Sequence, residues 1–207
     1  MKIQILDYGS GNLFSISDSI NRISTNGVLV SVGSSYKKGS VDALILPGVG
    51  NFASAQKILS ESRDAILEDV KENGMPILGI CLGMQLMFEK SEEGEGEGLG
   101  LFAGKVCRFA PSSTRKVPHM GWNTITCVNK GSALLDGLSD LSWVYYVHSY
   151  YPVPRDDRAT RAWTDYEGQR FPAIVEEGKI FGTQFHPEKS HFAGAKMISN
   201  FLKNIAE

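Results

Sequence analysis

Short apolar runs alternate with stretches of helical periodicity through the first half of this chain, and that alternation limits its fold more than any other feature. Lys2–Leu6 (KIQIL), Val28–Val32 (VLVSV), Asp42–Leu46 (DALIL) and Pro76–Ile80 (PILGI) read as strands. Between them, Leu13, Ile16, Ile20 and Ile23 recur at helical spacing and stop at Asn26-Gly27. Ile58, Leu59, Ile66, Leu67 and Val70 repeat the pattern before Asn73-Gly74. Strands apolar on successive residues are buried on both faces, and helices between them make the crossovers. The expectation is therefore an α/β fold with a central, mostly parallel sheet covered on both faces by helices.

The second half changes character. GKVCRFA, NTITCV, WVYYVHSYY and KIFGTQF are short, β-branched or aromatic, and separated by turn residues, which predicts antiparallel or mixed additions to the same sheet. An amphipathic helix over Gly194–Ala206 closes the chain. A length of 207 residues supports one core, so residues 1–207 are read as one domain. With 21% charged residues and a net charge of -2 there is no basic footprint, and no nucleic-acid partner is expected. The N-terminal apolar stretch runs into Asp7 and glycines, too short for a signal segment or a membrane span. Three widely spaced cysteines without a CxxC fit a reducing, cytoplasmic setting. The acidic, glycine-rich patch Ser91–Gly100 reads as a surface loop.

Cys81 follows the fourth predicted strand, with Gly79 and Gly83 on either side, and precedes a helix starting near Leu82–Gln85. In open α/β sheets, sites form at the carboxyl ends of strands. A sharp strand-to-helix turn that exposes a nucleophile crowds the residues two positions away, and glycines relieve the crowding, as in the G-x-S-x-G elbow. The following helix N-terminus favours a thiolate and offers N–H groups to an anion. His186 stands in FGTQFHPEKS with Glu188 two residues on, so Cys81, His186 and Glu188 supply a nucleophile, a base and an orienting acid. Cys107 and Cys127 lie in plain strand-like runs and read as structural. His119, His148 and His191 lack such a neighbouring acid and read as structural or interface residues. The His186–His191 step does not suit a metal, and none is expected. In PGVGNF, the glycines beside Val49 let its N–H help hold an oxyanion, although spacing alone equally permits a plain tight turn. DYGSGN has Phe14 where a dinucleotide fingerprint needs a third glycine, which removes that reading.

Taken in order, DYGSGN, PGVGNF, GICLGMQ followed by SEEG, PHMGWN, HSY and QFHPEKS span nearly the whole chain. Together they resemble the class I, triad-type glutamine amidotransferases, and within them the glutaminase subunits of imidazole glycerol phosphate synthases. The resemblance implies a flavodoxin-like three-layer domain without a cofactor, in which Cys81, His186 and Glu188 form the triad. It implies an oxyanion hole from the N–H groups of Val49 and Leu82, and a pocket for L-glutamine lined by Gly48, Gly50, Gln85, Glu93, Ser149 and Tyr150. It also implies a heterodimer with a (β/α)8-barrel cyclase, with Met120, Trp122, Tyr145 and Lys189 as candidate interface residues, since aromatic and flexible groups are enriched at such anchors. A core strand pair is the alternative for the first three. A stand-alone cysteine hydrolase and a flavodoxin-like binding module are the rival readings. The first need not carry HPE late in the chain; the second leaves the surroundings of Cys81 and His186 unexplained.

Overall fold

A computed structural model of the chain describes residues 1–9, 12–24, 27–127 and 131–206. Its first half follows β1 (Lys2–Leu6), α1 (Leu13–Ile23), β2 (Leu29–Gly33), β3 (Ala43–Leu46), α2 (Phe52–Ser60), α3 (Arg63–Lys71), β4 (Ile77–Ile80) and the short α4 (Leu82–Leu86). Then come β5 (Lys90–Ser91), β6 (Gly104–Arg108), β7 (His119–Thr124), β8 (Thr126–Cys127), β9 (Trp143–His148) and β10 (Tyr150–Pro154). The chain finishes through β11 (Thr160–Tyr166), β12 (Gln169–Glu177), β13 (Ile180–Thr183), a 3-10 turn at Pro187–Lys189, and α5 (His191–Ala206).

Among the described residues the main sheet runs β2-β1-β3-β4-β13-β12-β11-β8. The first five strands are parallel, and β12, β11 and β8 extend the sheet antiparallel. β3 and β4 are buried at every position, as expected of strands covered on both faces. Their side chains divide by the two-residue period. Ile3, Ile5, Ile45, Leu78 and Ile80 pack with Ile16 and Ile20 of α1 and Met197, Ile198 and Phe201 of α5. Leu44, Leu46 and Ile77 meet Phe52 and Leu59 of α2, Ile66 of α3 and Met84 of α4 on the other face. Each such side chain contributes about 1.5–3 kcal/mol by leaving water. No helix among the described residues is long and apolar enough to cross a membrane.

Four sequence expectations change. The apolar pattern from Ile58 to Val70 is two helices, broken at Glu61-Ser62, where Ser62 leaves helical geometry at φ -113° and ψ 4° and its buried hydroxyl accepts the Tyr36 N–H at 2.9 Å. The second-half strands do not all join the main sheet: β10-β6-β5 and β7-β9 form two small sheets, with β9 and β10 parting at Ser149. The long hairpin β11-β12 is not among the predicted runs. Its turn at Glu167-Gly168 has positive φ at both residues, 49° and 76°, and Glu-Gly there stands in place of the familiar Asn-Gly signal. Finally, the acidic loop is tethered: Gly94 abuts Ala53, Gly98 abuts the Phe88 carbonyl, and Glu92 accepts from the Arg108 N–H and pairs with Lys105. Ser10, Gly11, Asn26 and Val128 lie outside the described residues; α1 ends at Ile23 with the Ser24 N–H on the Ile20 carbonyl.

The strand order β3-β4-β13 is what assembles a site. The connections leaving the carboxyl ends of these three neighbours are 47–51, Cys81 and 184–190, far apart in sequence and adjacent in space.

Candidate active site

Cys81 holds φ 48° and ψ -101°, a conformation non-glycine residues rarely adopt, at the junction of β4 and α4. The two flanking glycines are required by contact. A Cβ on Gly79 would lie 2.6 Å from the Met84 nitrogen, and one on Gly83 would lie 2.0 Å from the Leu46 carbonyl oxygen. The turn thus presses α4 against β3 and β4 so closely that no side chain fits on either side of the cysteine.

Beyond β13, His186 is fully buried and its backbone N–H donates to the Tyr145 carbonyl at 2.9 Å. Its Nδ1 lies 2.8 Å from Glu188 Oε1, on the 3-10 turn that Pro187 initiates. Ser190, not singled out from sequence, locks this turn: its hydroxyl donates to the His186 carbonyl at 2.6 Å and accepts from the Tyr145 N–H at 3.0 Å. On the far side of the ring, Nε2 has no closed hydrogen bond, and the electrostatic neighbour felt by the ring is Cys81. Burial alone lowers the pKa of His186, but Cys81 and then Glu188 outweigh it and hold it up to about 10. The imidazole is therefore set to carry a proton between the Cys81 sulfur and the Glu188 carboxyl group.

A cavity of about 270 Å³ opens here, bounded by Gly48, Val49, Gly50, Cys81, Leu82, Gln85, Glu93, Ser149 and Tyr150, together with Pro118, Val147 and His148. Every residue predicted to bind glutamine or an oxyanion lies on its wall. Val49 is 42% exposed between Gly48 and a Gly50 at φ 135°, while Leu82 opens α4 directly after Cys81. A side chain at Gly48 would collide with the Ile80 carbonyl and the His186 ring. Glu93 also has a fastening role: Oε2 accepts the Phe52 N–H at 2.8 Å, joining the acidic loop to the start of α2, and burial raises its pKa against the effect of that bond. A larger hollow of about 930 Å³, lined by residues including Met1, Asp42, Met75 and Lys203, has no cysteine or histidine in its wall. Among the described residues no group of His, Cys, Asp and Glu is arranged to hold a metal.

His148 and His119 are accommodated as buried neutral rings, and their tautomers explain how. The Tyr150 carbonyl can only accept, so His148 Nδ1, 2.8 Å away, carries its proton. His148 Nε2 then accepts from His119 Nδ1 at 3.0 Å, and His119 Nε2 accepts from Asn123 at 3.4 Å. Both rings are neutral donors and acceptors. Burial pushes His119 down to about 4; burial, then the neighbouring His119, push His148 down to about 3. Below the free value of about 6.5 the unfolded chain takes up these protons while the folded chain does not, so stability is full above pH 6.5 and falls as pH drops toward 4. Each histidine held neutral adds up to about 1.4 kcal/mol per pH unit to that slope. His186, raised, acts in the opposite window: its contribution is full below 6.5 and is lost as pH rises toward 10. Urea unfolding of the wild type and His119→Gln between pH 5 and about 8 checks this. The variant is expected to show a shallower acid limb, and equal slopes would mean that the pair is charged.

Of the proposed interface residues, Met120, Trp122 and Tyr145 lie on the β7-β9 sheet and Lys189 on the 3-10 turn next to it. Met120 and Trp122 are 62% and 42% exposed, which excludes a core strand pair for their side chains. Trp122 meets Tyr145 edge-on at 5.9 Å, and Lys189 lies 5.9 Å over the Tyr145 ring. His191 extends this surface by stacking flat on Trp122 at 5.1 Å.

The glutamine amidotransferase class-I family profile matches residues 4–205. A protein named imidazole glycerol phosphate synthase subunit HisH from Geobacillus kaustophilus is 45% identical over 207 residues, covering 97% of this chain and 95% of that protein. The HisH protein of Trichodesmium erythraeum is 40% identical, covering 98% and 94%. Among solved structures, a putative GMP synthase component from Thermoplasma acidophilum superposes with a TM-score of 0.74 at 20% identity, covering 100% of this chain and 94% of that one. PurLQS from Thermotoga maritima gives 0.72 at 21%, covering 99% and 97%. The likeness to these two structures concerns the fold alone, whereas the HisH proteins match along nearly their whole length. This chain therefore belongs to the class-I glutamine amidotransferases and, within them, to the HisH subunits of imidazole glycerol phosphate synthase.

Proposed function

We propose that this chain is the glutaminase subunit of imidazole glycerol phosphate synthase, with Cys81 attacking the carboxamide carbon of glutamine. One observation carries the reading above the others: the strained Cys81 elbow opens into the same cavity as the Gly48–Gly50 turn, with the buried His186–Glu188 pair beside it. His186 takes the thiol proton and then gives a proton to departing ammonia. Water next hydrolyses the thioester, so glutamine plus water become glutamate plus ammonia. The N–H groups of Val49 and Leu82 hold the tetrahedral oxyanion, Gly48, Gly50, Gln85, Glu93, Ser149 and Tyr150 line the substrate pocket, and Glu188 orients the imidazole.

Ammonia released into neutral water becomes ammonium, which is no nucleophile, so the product must pass directly to an acceptor site. This chain carries no sugar-phosphate motif, and the acceptor is assigned to a (β/α)8-barrel cyclase docked on the surface of Met120, Trp122, Tyr145 and Lys189. That partner joins ammonia to the phosphoribulosyl-carboxamide intermediate PRFAR, giving imidazole glycerol phosphate and AICAR in histidine biosynthesis. A reducing cytoplasm suits a single reactive thiol. The expected behaviour is slow glutamine hydrolysis by the isolated chain and strong activation by the cyclase with PRFAR, through the turn around Val49. Glutamate release measured alone, with cyclase, and with cyclase plus PRFAR tests it. Equal turnover in all three removes the coupling, and no turnover in any removes the activity.

A further inference from the structure

Gln184 follows β13 two residues before His186, is fully buried, and places its carboxamide Nε2 3.5 Å from the Cys81 sulfur. Which end of this amide faces the sulfur follows from the surrounding bonds. The Tyr150 carbonyl accepts from Gln85 at 2.9 Å, so the Gln85 group there is Nε2. The same nitrogen donates to Gln184 at 3.2 Å, so Gln184 presents Oε1 to it, and its own N–H groups are left for the sulfur. A reversed amide would set two donors against each other. The Tyr150 carbonyl that fixes the His148 tautomer thus also fixes the direction of the chain Gln85, Gln184, Cys81. The Val147 carbonyl lies 3.8 Å from the same sulfur and can accept only from a protonated thiol. Of the two neutral groups against the sulfur, Val147 favours the thiol and Gln184 the anion.

We propose that Gln184 takes part in the reaction, its carboxamide N–H stabilising the Cys81 thiolate and holding the sulfur in line for attack. This rests on the reading of Cys81 as the nucleophile and adds a donor that works with His186. Hydrogen bonds to an ionised partner are about twice as strong as neutral ones, and the low-dielectric surroundings of a buried amide preserve that strength. The titratable groups around the sulfur are His186 with Glu188 behind it, His148 on β9 and Glu93 across the cavity, so Gln184→Met alters none of the charges present.

The test is the pH profile of iodoacetamide alkylation at Cys81 in the full chain, read by mass spectrometry of the Cys81 peptide so that Cys107 and Cys127 do not interfere. Wild type, Gln184→Met and Gln184→Glu are compared. Removing the donor is expected to move the midpoint up by about one pH unit. Gln184→Glu keeps an acceptor for Gln85, turns a carboxylate on the sulfur and moves the midpoint further, which preserves the test where Gln184→Met folds poorly. In the cyclase complex, Gln184→Met is expected to lower kcat about tenfold with little change in KM. A purely structural Gln184 would lower the melting temperature and leave the midpoint within about 0.3 pH unit of wild type, and that result overturns the proposal. If alkylated Cys81 leaves glutamine hydrolysis intact, the nucleophile assignment itself falls. If alkylation abolishes hydrolysis and the midpoint does not move, only the role of Gln184 falls.

Discussion

Replacing Cys81 by alanine is expected to lower glutamine hydrolysis by about four to six orders of magnitude, the range found when the nucleophile of a triad enzyme is removed. The loss belongs to chemistry and not to folding. Cys81 is small and nearly buried, so deleting one sulfur costs the fold on the order of 1 kcal/mol. The backbone supplies a sharper contrast. At φ 48° the residue holds its turn under conformational strain, and glycine adopts that region freely. Cys81→Gly is therefore expected to be as inactive as Cys81→Ala and more stable than it by about 1 kcal/mol. Glutamate release in the complex with the partner synthase subunit and urea midpoints of the isolated chain measure the two effects separately. Turnover within tenfold of wild type in either variant would sink the nucleophile assignment, and a Cys81→Gly less stable than Cys81→Ala would sink the strain argument.

The second large effect concerns stability. Gly83→Ala should unfold the chain or cost it more than about 4 kcal/mol, beyond the usual penalty for overpacking a core. The added methyl would lie 2.0 Å from the Leu46 carbonyl oxygen and 2.6 Å from its carbonyl carbon. Flexible side chains can yield to such an intrusion, whereas this wall is the backbone of β3, held between β1 and β4 by hydrogen bonds on both edges. Relief would require α4 to lift off the sheet, carrying Leu82 and Gln85 out of the cavity. Soluble yield and denaturant unfolding of Gly83→Ala decide it. A variant within about 1 kcal/mol of wild type would mean that the helix is not seated as described.

The elbow behind both effects is readable in the sequence because its constraint is local: Gly79, Cys81 and Gly83 are close neighbours in the chain, and the crowding acts within one turn. His186 and Glu188 are readable for the same reason, since they stand two residues apart and the 3-10 turn begun at Pro187 closes the contact between them locally. Gln184, two residues before His186, is equally near in the chain, a signal present in FGTQFHPEKS but without meaning until the sulfur is located. The hairpin β11-β12 escapes a sequence reading because Glu167-Gly168 is an uncommon way to make its turn. The acidic loop Ser91–Gly100 looks featureless in sequence because its glycines are explained by partners elsewhere, Ala53 and the Phe88 carbonyl among them.

By itself, then, the sequence determined the alternating α/β framework, the strained Cys81 turn and the residues proposed to activate it, because hydrophobic period and glycine spacing act over a few residues. Tertiary structure alone decided which loops meet, through the neighbouring positions of β3, β4 and β13 in the sheet. It also decided the states of the buried polar groups. Gln184 finds the Cys81 sulfur across 103 residues of chain, and the His119–His148 pair takes its tautomers from one carbonyl at Tyr150. A buried donor or acceptor is defined by the partner that satisfies it, and those partners are set by strand order and register, which no local pattern encodes.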